Sequence, residues 1–301
     1  MRRSLAFVTL SFSTRSLAHR PAAAFAASVL RPSAHRRLTA AATTTAEDDV
    51  RSALATVAAR VDRAVAARGA GEGARLVVVS KTKPVELLQA AYGAGARHFG
   101  ENYVQELVDK APLMPGDVAW HFIGHLQSNK CKKLVRGVPN LAVVETVDSL
   151  KLAKKLDAAC VAAGRPPLPI YLQVNTSAEG TKSGLADGAD GAAQLALAVS
   201  SGCPRLTVAG LMTIGAPGDG LESFNRLAAC RAAAAAALGV RPSALALSMG
   251  MSGDFEEAIS RGSTSVRVGS SIFGARDYPA DAAASSSSSS SSDPISAVPA
   301  R

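Results

Sequence analysis

A chain of 301 residues with 48% hydrophobic side chains can bury a sizeable core, which excludes a wholly disordered protein. Its net charge of +9 points at first to nucleic acid or an anionic membrane. Residues 1–46, however, hold seven of the basic residues and no acid, so that from Glu47 onward 26 basic residues face 24 acidic ones and the folded part has no strongly basic surface for nucleic acid.

In chain order, residues 1–46 are rich in Arg, Ser and Ala and read as an unstructured mitochondrial or chloroplast transit peptide. A secretory signal would need one apolar core, whereas Arg15, Arg20 and Arg31 interrupt every apolar stretch; without a working leader the chain would stay cytoplasmic. A helix is predicted over 48–67, with Val50, Leu54, Val57 and Val61 on one face. Short apolar runs at 76–80, 97–99, 119–123, 142–146, 168–174, 206–212, 244–248 and 265–268 are predicted strands. Helical signals separate them. Pro84 suits a first turn ahead of Leu87, Ala91 and Ala94. Asp148 or Ser149 can cap a helix that Gly164 stops before Pro166 and Pro167, and 221–238 reads as another. The unbroken run Ser285 to Ser292 lies in a tail, 279–301, too polar to offset its ordering entropy by burial.

Eight apolar strands with intervening helices, in a unit over 47–278, favour a single-domain α/β fold, the (β/α)8 TIM barrel with an extra N-terminal helix, over an open doubly wound sheet. No apolar run approaches the ~20 residues of a membrane span. Cys131, Cys160, Cys203 and Cys230 are too scattered for a disulfide or zinc framework and read as buried thiols. His121 and His125 stand four apart, but without acidic or thiolate company they make a poor metal site.

In a barrel the chemistry belongs at the C-terminal ends of the strands. The first strand delivers Lys81 there, where partial burial favours the neutral amine that attacks an aldehyde, although a solvated cap fits the same residue. After the second strand comes Asn102, a helix cap or a ligand contact. The last two strand ends run into Met249-Gly250-Met251-Ser252-Gly253 and Gly269-Ser270-Ser271, where glycine and helix-start N–H groups can cradle a phosphate. Arg267 precedes the second of these loops and could meet a phosphate, a carboxylate or a ring nitrogen; tight turns beside a surface arginine are the plainer alternative. An amine and an anion clamp together are what pyridoxal 5'-phosphate requires.

The segments Ser80-Lys81-Thr82-Lys83-Pro84, Phe99-Gly100-Glu101-Asn102-Tyr103-Val104-Gln105-Glu106, 120–130, Gly210-Leu211-Met212, 247–252 and 266–278 closely resemble the pyridoxal phosphate homeostasis protein family. The resemblance covers residues 50 to 278 and leaves out leader and tail. It implies a fold-type III barrel similar to the N-terminal domain of bacterial alanine racemase, with pyridoxal phosphate held as a Schiff base on Lys81. It implies further that Ser252, Gly269 and Ser270 hold the phosphate, that Arg267 faces the pyridine nitrogen, and that Asn102 and Asn175 line the cofactor's face. Gly180-Thr181 departs from the family's fifth βα loop, and Lys182 and the run Lys130, Lys132, Lys133 read as solvated. The implied function is cofactor buffering and supply to apo-enzymes, by a monomer without robust catalysis. An amino-acid racemase or a cofactor-sensing module is the alternative; racemases take one of their two bases from a second domain that the motifs do not include.

Overall fold

The computed structural model describes residues 34–69, 71–177, 183–186, 188–215 and 220–274. Most of the leader, the serine tail and Gly180-Thr181-Lys182 lie outside the described residues. Residues 42–301 form one compact unit, which carries the fold below, and residues 1–41 a second.

Helix α1 spans Ala34–Arg68, not 48–67, so it enters the stretch read as an unstructured leader. The reason is local: Pro32 is the last helix breaker, and the alanine-rich sequence from Ala34 to Arg68 contains neither glycine nor proline. Val50, Leu54, Val57 and Val61 are all buried, as their spacing predicts. Arg60 pairs with Glu256 at 2.7 Å and lies over the Phe255 ring, 4.7 Å from its centre. Arg68 donates to the carbonyls of Ile259 and Ser263.

Eight parallel strands then close a barrel in chain order: β1 Arg75–Val79, β2 His98–Glu101, β3 Ala119–Phe122, β4 Leu141–Val147, β5 Leu168–Gln173, β6 Leu206–Met212, β7 Ala246–Ser248 and β8 Ser265–Val268. Closure is made by β8 against β1, with Val77 beside Arg267 and Val78 beside Val268. The connecting helices are α2 Val85–Gly93, α3 Val104–Lys110, α4 Cys131–Gly137, α5 Leu150–Ala162, α6 Gly188–Gly202, α7 Gly220–Leu238, α8 Phe255–Ser260 and α9 Ser270–Phe273. Pro84 stands one position outside α2, as its N-cap. At α5 the cap is Ser149, whose Oγ accepts from the Leu152 N–H at 3.3 Å, and Gly164 follows in the left-handed region at φ 61°.

Side chains alternate along the strands. Phe99, Trp120, Phe122, Val144, Leu247, Val266 and Val268 point outward into the main hydrophobic core beneath the helices. Inside the barrel, Val143, Tyr171 and Met212 form a small cluster with Ala209 and Ala246. Apart from Val77, the other buried side chains inside the barrel are polar, and His121, Glu145, Ser248 and Arg267 among them are each at most 5% exposed. Barrel interiors are usually filled by branched aliphatic residues, so this departure calls for a functional reason. All four cysteines are buried and free, and burial pushes the Cys131 thiol up to about 11, which makes it inert at neutral pH.

Candidate functional site

A cleft of about 450 Å³ opens at the C-terminal ends of β1, β2, β3, β6, β7 and β8. Lys81, Asn102, Ser252, Arg267, Gly269 and Ser270 all line it, together with Lys83 and the apolar Ile123, Met212 and Ile214. Residues 81 and 270, nearly two hundred positions apart in sequence, are thus brought to one site by closure of β1 on β8. Asn175 is not among the lining residues; its Oδ1 accepts from the N–H of Ser177 at 3.2 Å and its hydroxyl at 2.9 Å, so the side chain shapes its own loop.

The segment that carries Lys81 is held rigidly. Thr82 takes the left-handed region at φ 64°, a conformation that costs about 1 kcal/mol or more for a β-branched residue and persists only where its surroundings over-determine it. The surroundings are a buried clamp. Lys110 Nζ donates to the Ser80 carbonyl at 2.8 Å, to Glu101 Oε1 at 2.8 Å and to Glu106 Oε1 at 2.6 Å. Glu106 Oε1 in turn accepts the Thr82 N–H at 2.6 Å, and Ser80 Oγ donates to Glu101 at 2.7 Å. Burial pushes the Glu101 carboxyl up from its usual range, against the opposing pull of Lys110 and Ser80.

On the neighbouring strand β8, Arg267 is fixed by Nη1 donating to Ser248 Oγ at 2.6 Å and Nη2 donating to the Thr213 carbonyl at 2.7 Å. Burial lowers its pKa, and the charges of Glu145 and Asp254 oppose that effect; a guanidinium remains a cation regardless. The surface-arginine alternative is thereby overturned. The loops after β7 and β8 meet where the Gly269 N–H points at Ser252 Oγ, 3.4 Å away. A Cβ on Gly269 would lie 3.1 Å from the Val79 carbonyl oxygen, so glycine is what lets β8 turn this close to β1. Asn102 does not cap α3, whose N-cap is Tyr103; its Oδ1 is buried and has no hydrogen-bond partner among the described residues. Such an orphaned acceptor on a cleft wall fits a ligand with a polar edge. His125 is exposed whereas His121 is inside the barrel, so their i, i+4 spacing does not bring them together.

Sequence reasoning did not single out Lys110, Glu145 or the roles of Ser248 and His121. The one available signal was a charge, Glu145, inside the apolar strand Leu141–Val147.

The alanine racemase N-terminal domain model matches residues 53–277. The chain is 46% identical over 247 residues to the pyridoxal phosphate homeostasis protein of Bos taurus, covering 77% of this chain and 89% of that protein. The protein of the same name from Schizosaccharomyces pombe is 47% identical over 211 residues, covering 68% and 86%. Among solved structures, PipY of Synechococcus elongatus with pyridoxal phosphate bound superposes with a TM-score of 0.60 at 34% identity, over 75% of this chain and the whole of that one.

Proposed function

Because the chain belongs to the family of pyridoxal phosphate homeostasis proteins, built on the alanine racemase N-terminal domain, we propose that it binds pyridoxal 5'-phosphate in this cleft and buffers and supplies that cofactor. The observation that carries the reading is the convergence of Lys81, the buried Arg267 and the Ser252–Gly269 junction on one cleft. The residues fit the group: the orphaned Asn102 Oδ1 leaves an amide for a ring substituent, and Ser252 and Ser270 bring hydroxyls to the same cleft. When bound, the cofactor supplies an electrophilic aldehyde and an electron-withdrawing ring.

Lys81 would hold the cofactor by its aldehyde through the side-chain amine, and the Lys110 clamp holds its segment in place. Ser252, Gly269 and Ser270 offer hydroxyls and N–H groups to the phosphate where α9 starts. Arg267 would offer the ring nitrogen a hydrogen bond without giving up its proton, and so would leave the ring a weaker electron sink than an acid able to protonate it. That favours a carrier over a racemase. Asn175 takes no part in this proposal. The arginine-rich, acid-free start of the chain supports delivery to a mitochondrion or chloroplast, with apo-enzymes there as recipients.

The test is an absorbance spectrum of the protein with pyridoxal phosphate before and after borohydride reduction, with peptide mapping of the product. A visible band and a reduced adduct on Lys81, both absent in a folded Lys81→Ala variant, are expected. An unmodified Lys81, or an undiminished band in Lys81→Ala, would refute the assignment.

A further inference from the structure

Arg267 is the upper end of a hydrogen-bonded chain that crosses the barrel interior. Its Nη1 donates to Ser248 Oγ at 2.6 Å, and Ser248 Oγ donates to Glu145 Oε2 at 2.5 Å. Glu145 Oε1 lies 2.6 Å from His121 Nδ1, and His121 Nε2 lies 3.1 Å from His98 Nδ1. Five strands, β8, β7, β4, β3 and β2, each contribute one member. His98 and His121 line a second cavity of about 760 Å³ at the opposite end of the barrel, with Arg75, Tyr171 and Glu72.

The direction of each bond follows from which groups can donate. Arg267 has protons only to give, so Ser248 accepts from it and must spend its one proton on Glu145. With both carboxylate oxygens accepting, Glu145 is ionised and His121 carries its proton on Nδ1. The 3.1 Å contact between His121 Nε2 and His98 Nδ1 carries the chain on to the far end of the barrel, one of the two nitrogens donating to the other. Arg267 and Glu145 together carry zero net charge. Burial works to raise the Glu145 pKa, but the hydrogen bond and charge of His121, the charge of Arg267 and the Ser248 hydroxyl outweigh it and hold the group below the usual carboxylate range. Burial, with the charges of His121 and Arg75, depresses His98 to about 4. The other ionisable groups facing this set are Tyr171 and Asp254, the former close enough for the Glu145 charge to raise its pKa and the latter acting on Arg267.

We propose that Glu145, acting through Ser248, is a positioning residue for the cofactor: it fixes the place of the guanidinium and compensates its charge, and the His121–His98 arm makes that compensation answer to protons arriving at the far end of the barrel. The proposal rests on the reading that Arg267 faces the ring nitrogen of pyridoxal phosphate. A guanidinium this deeply buried is costly without a counter-ion, and without Glu145 it would confront the ring as an uncompensated charge.

The experiment is a pH titration of the visible band, with cofactor affinity and borohydride mapping, on the full-length holoprotein and three variants. In Glu145→Gln the reduced adduct is expected still on Lys81 at saturating cofactor, with affinity lowered by about ten-fold and the pH midpoint of the band displaced. Ser248→Ala removes only the bridging hydroxyl, is expected to shift the band in the same direction, and stands in should Glu145→Gln fail to fold. His98→Gln keeps a hydrogen-bonding side chain without the titration and is expected to lose the acid limb of the profile. A wild-type protein with no adduct on Lys81 would overturn the cofactor reading, and this proposal with it. A wild-type adduct on Lys81, with Glu145→Gln or Ser248→Ala matching wild type in affinity and midpoint, would overturn the positioning role alone. An unchanged acid limb in His98→Gln would overturn the link to solvent.

Discussion

Replacing Lys110 by methionine removes the charge of the clamp while nearly preserving its volume. Lys110 is 8% exposed and Glu101 is fully buried, so Lys110→Met leaves the Glu101 carboxylate without its ion pair. Breaking a buried pair on one side costs about 3–5 kcal/mol. The carboxyl can escape that cost by taking up a proton, which from an unfolded-state pKa of about 4.3 requires about 1.4 kcal/mol per pH unit, or about 3.7 kcal/mol near pH 7. Protonation therefore caps the loss at about 3–4 kcal/mol near neutrality and at about 1 kcal/mol near pH 5. The sign follows because losing Lys110 removes the pull that opposes burial, so the Glu101 pKa rises further in the variant than in wild type and its folded state gains more as pH falls. Urea denaturation of wild type and variant at both pH values measures the difference directly. Cofactor affinity should fall as well, because Lys110 holds the Ser80 carbonyl and shares Glu106 with the strained Thr82. A loss under about 1 kcal/mol near pH 7, or a loss that does not shrink on acidification, would refute the reasoning.

Three further outcomes are expected. Gly124→Ala would put a Cβ 2.0 Å from the Asn102 carbonyl oxygen and 2.6 Å from its Cα, a clash with backbone that has to displace Asn102; a thermal melt should show a loss of about 2 kcal/mol or more together with weakened cofactor binding. Gly269→Ala meets Val79 at 3.1–3.2 Å, a few tenths of an ångström too close, so stability should change by less than about 1 kcal/mol while affinity for pyridoxal phosphate drops by more than for pyridoxal, as calorimetry with both ligands would show. His98 is depressed to about 4 from 6.5, so the folded state binds fewer protons than the unfolded chain between those values and stability rises with pH across that window. After allowance for its partial exposure, denaturation midpoints of wild type and His98→Gln should differ in slope by about 1–2 kcal/mol over the window, and parallel slopes would contradict it.

The period-two apolar runs and the helical spacings between them made the barrel legible, because each strand buries its outer face under the helices whatever its partners are. Boundaries shifted by a residue or two, and more at α1, where the absence of glycine and proline lets the helix begin at Ala34. The lysine after β1 and the glycine-serine turns after β7 and β8 were readable because strand ends and glycine leave local marks. Asn175 was also marked by its strand end, but its side chain turns back on Ser177.

Sequence alone determined the alternation and the segments that resemble a cofactor-binding family, since these depend on near neighbours and on motif order. Tertiary structure decided which of those residues share a cleft, and it alone brought together Lys110 with Ser80 across thirty positions and Ser248 with Glu145 across 103. Hydrogen bonds between strands distant in sequence carry no local period. Their geometry exists only once β8 has paired with β1 and the barrel has closed.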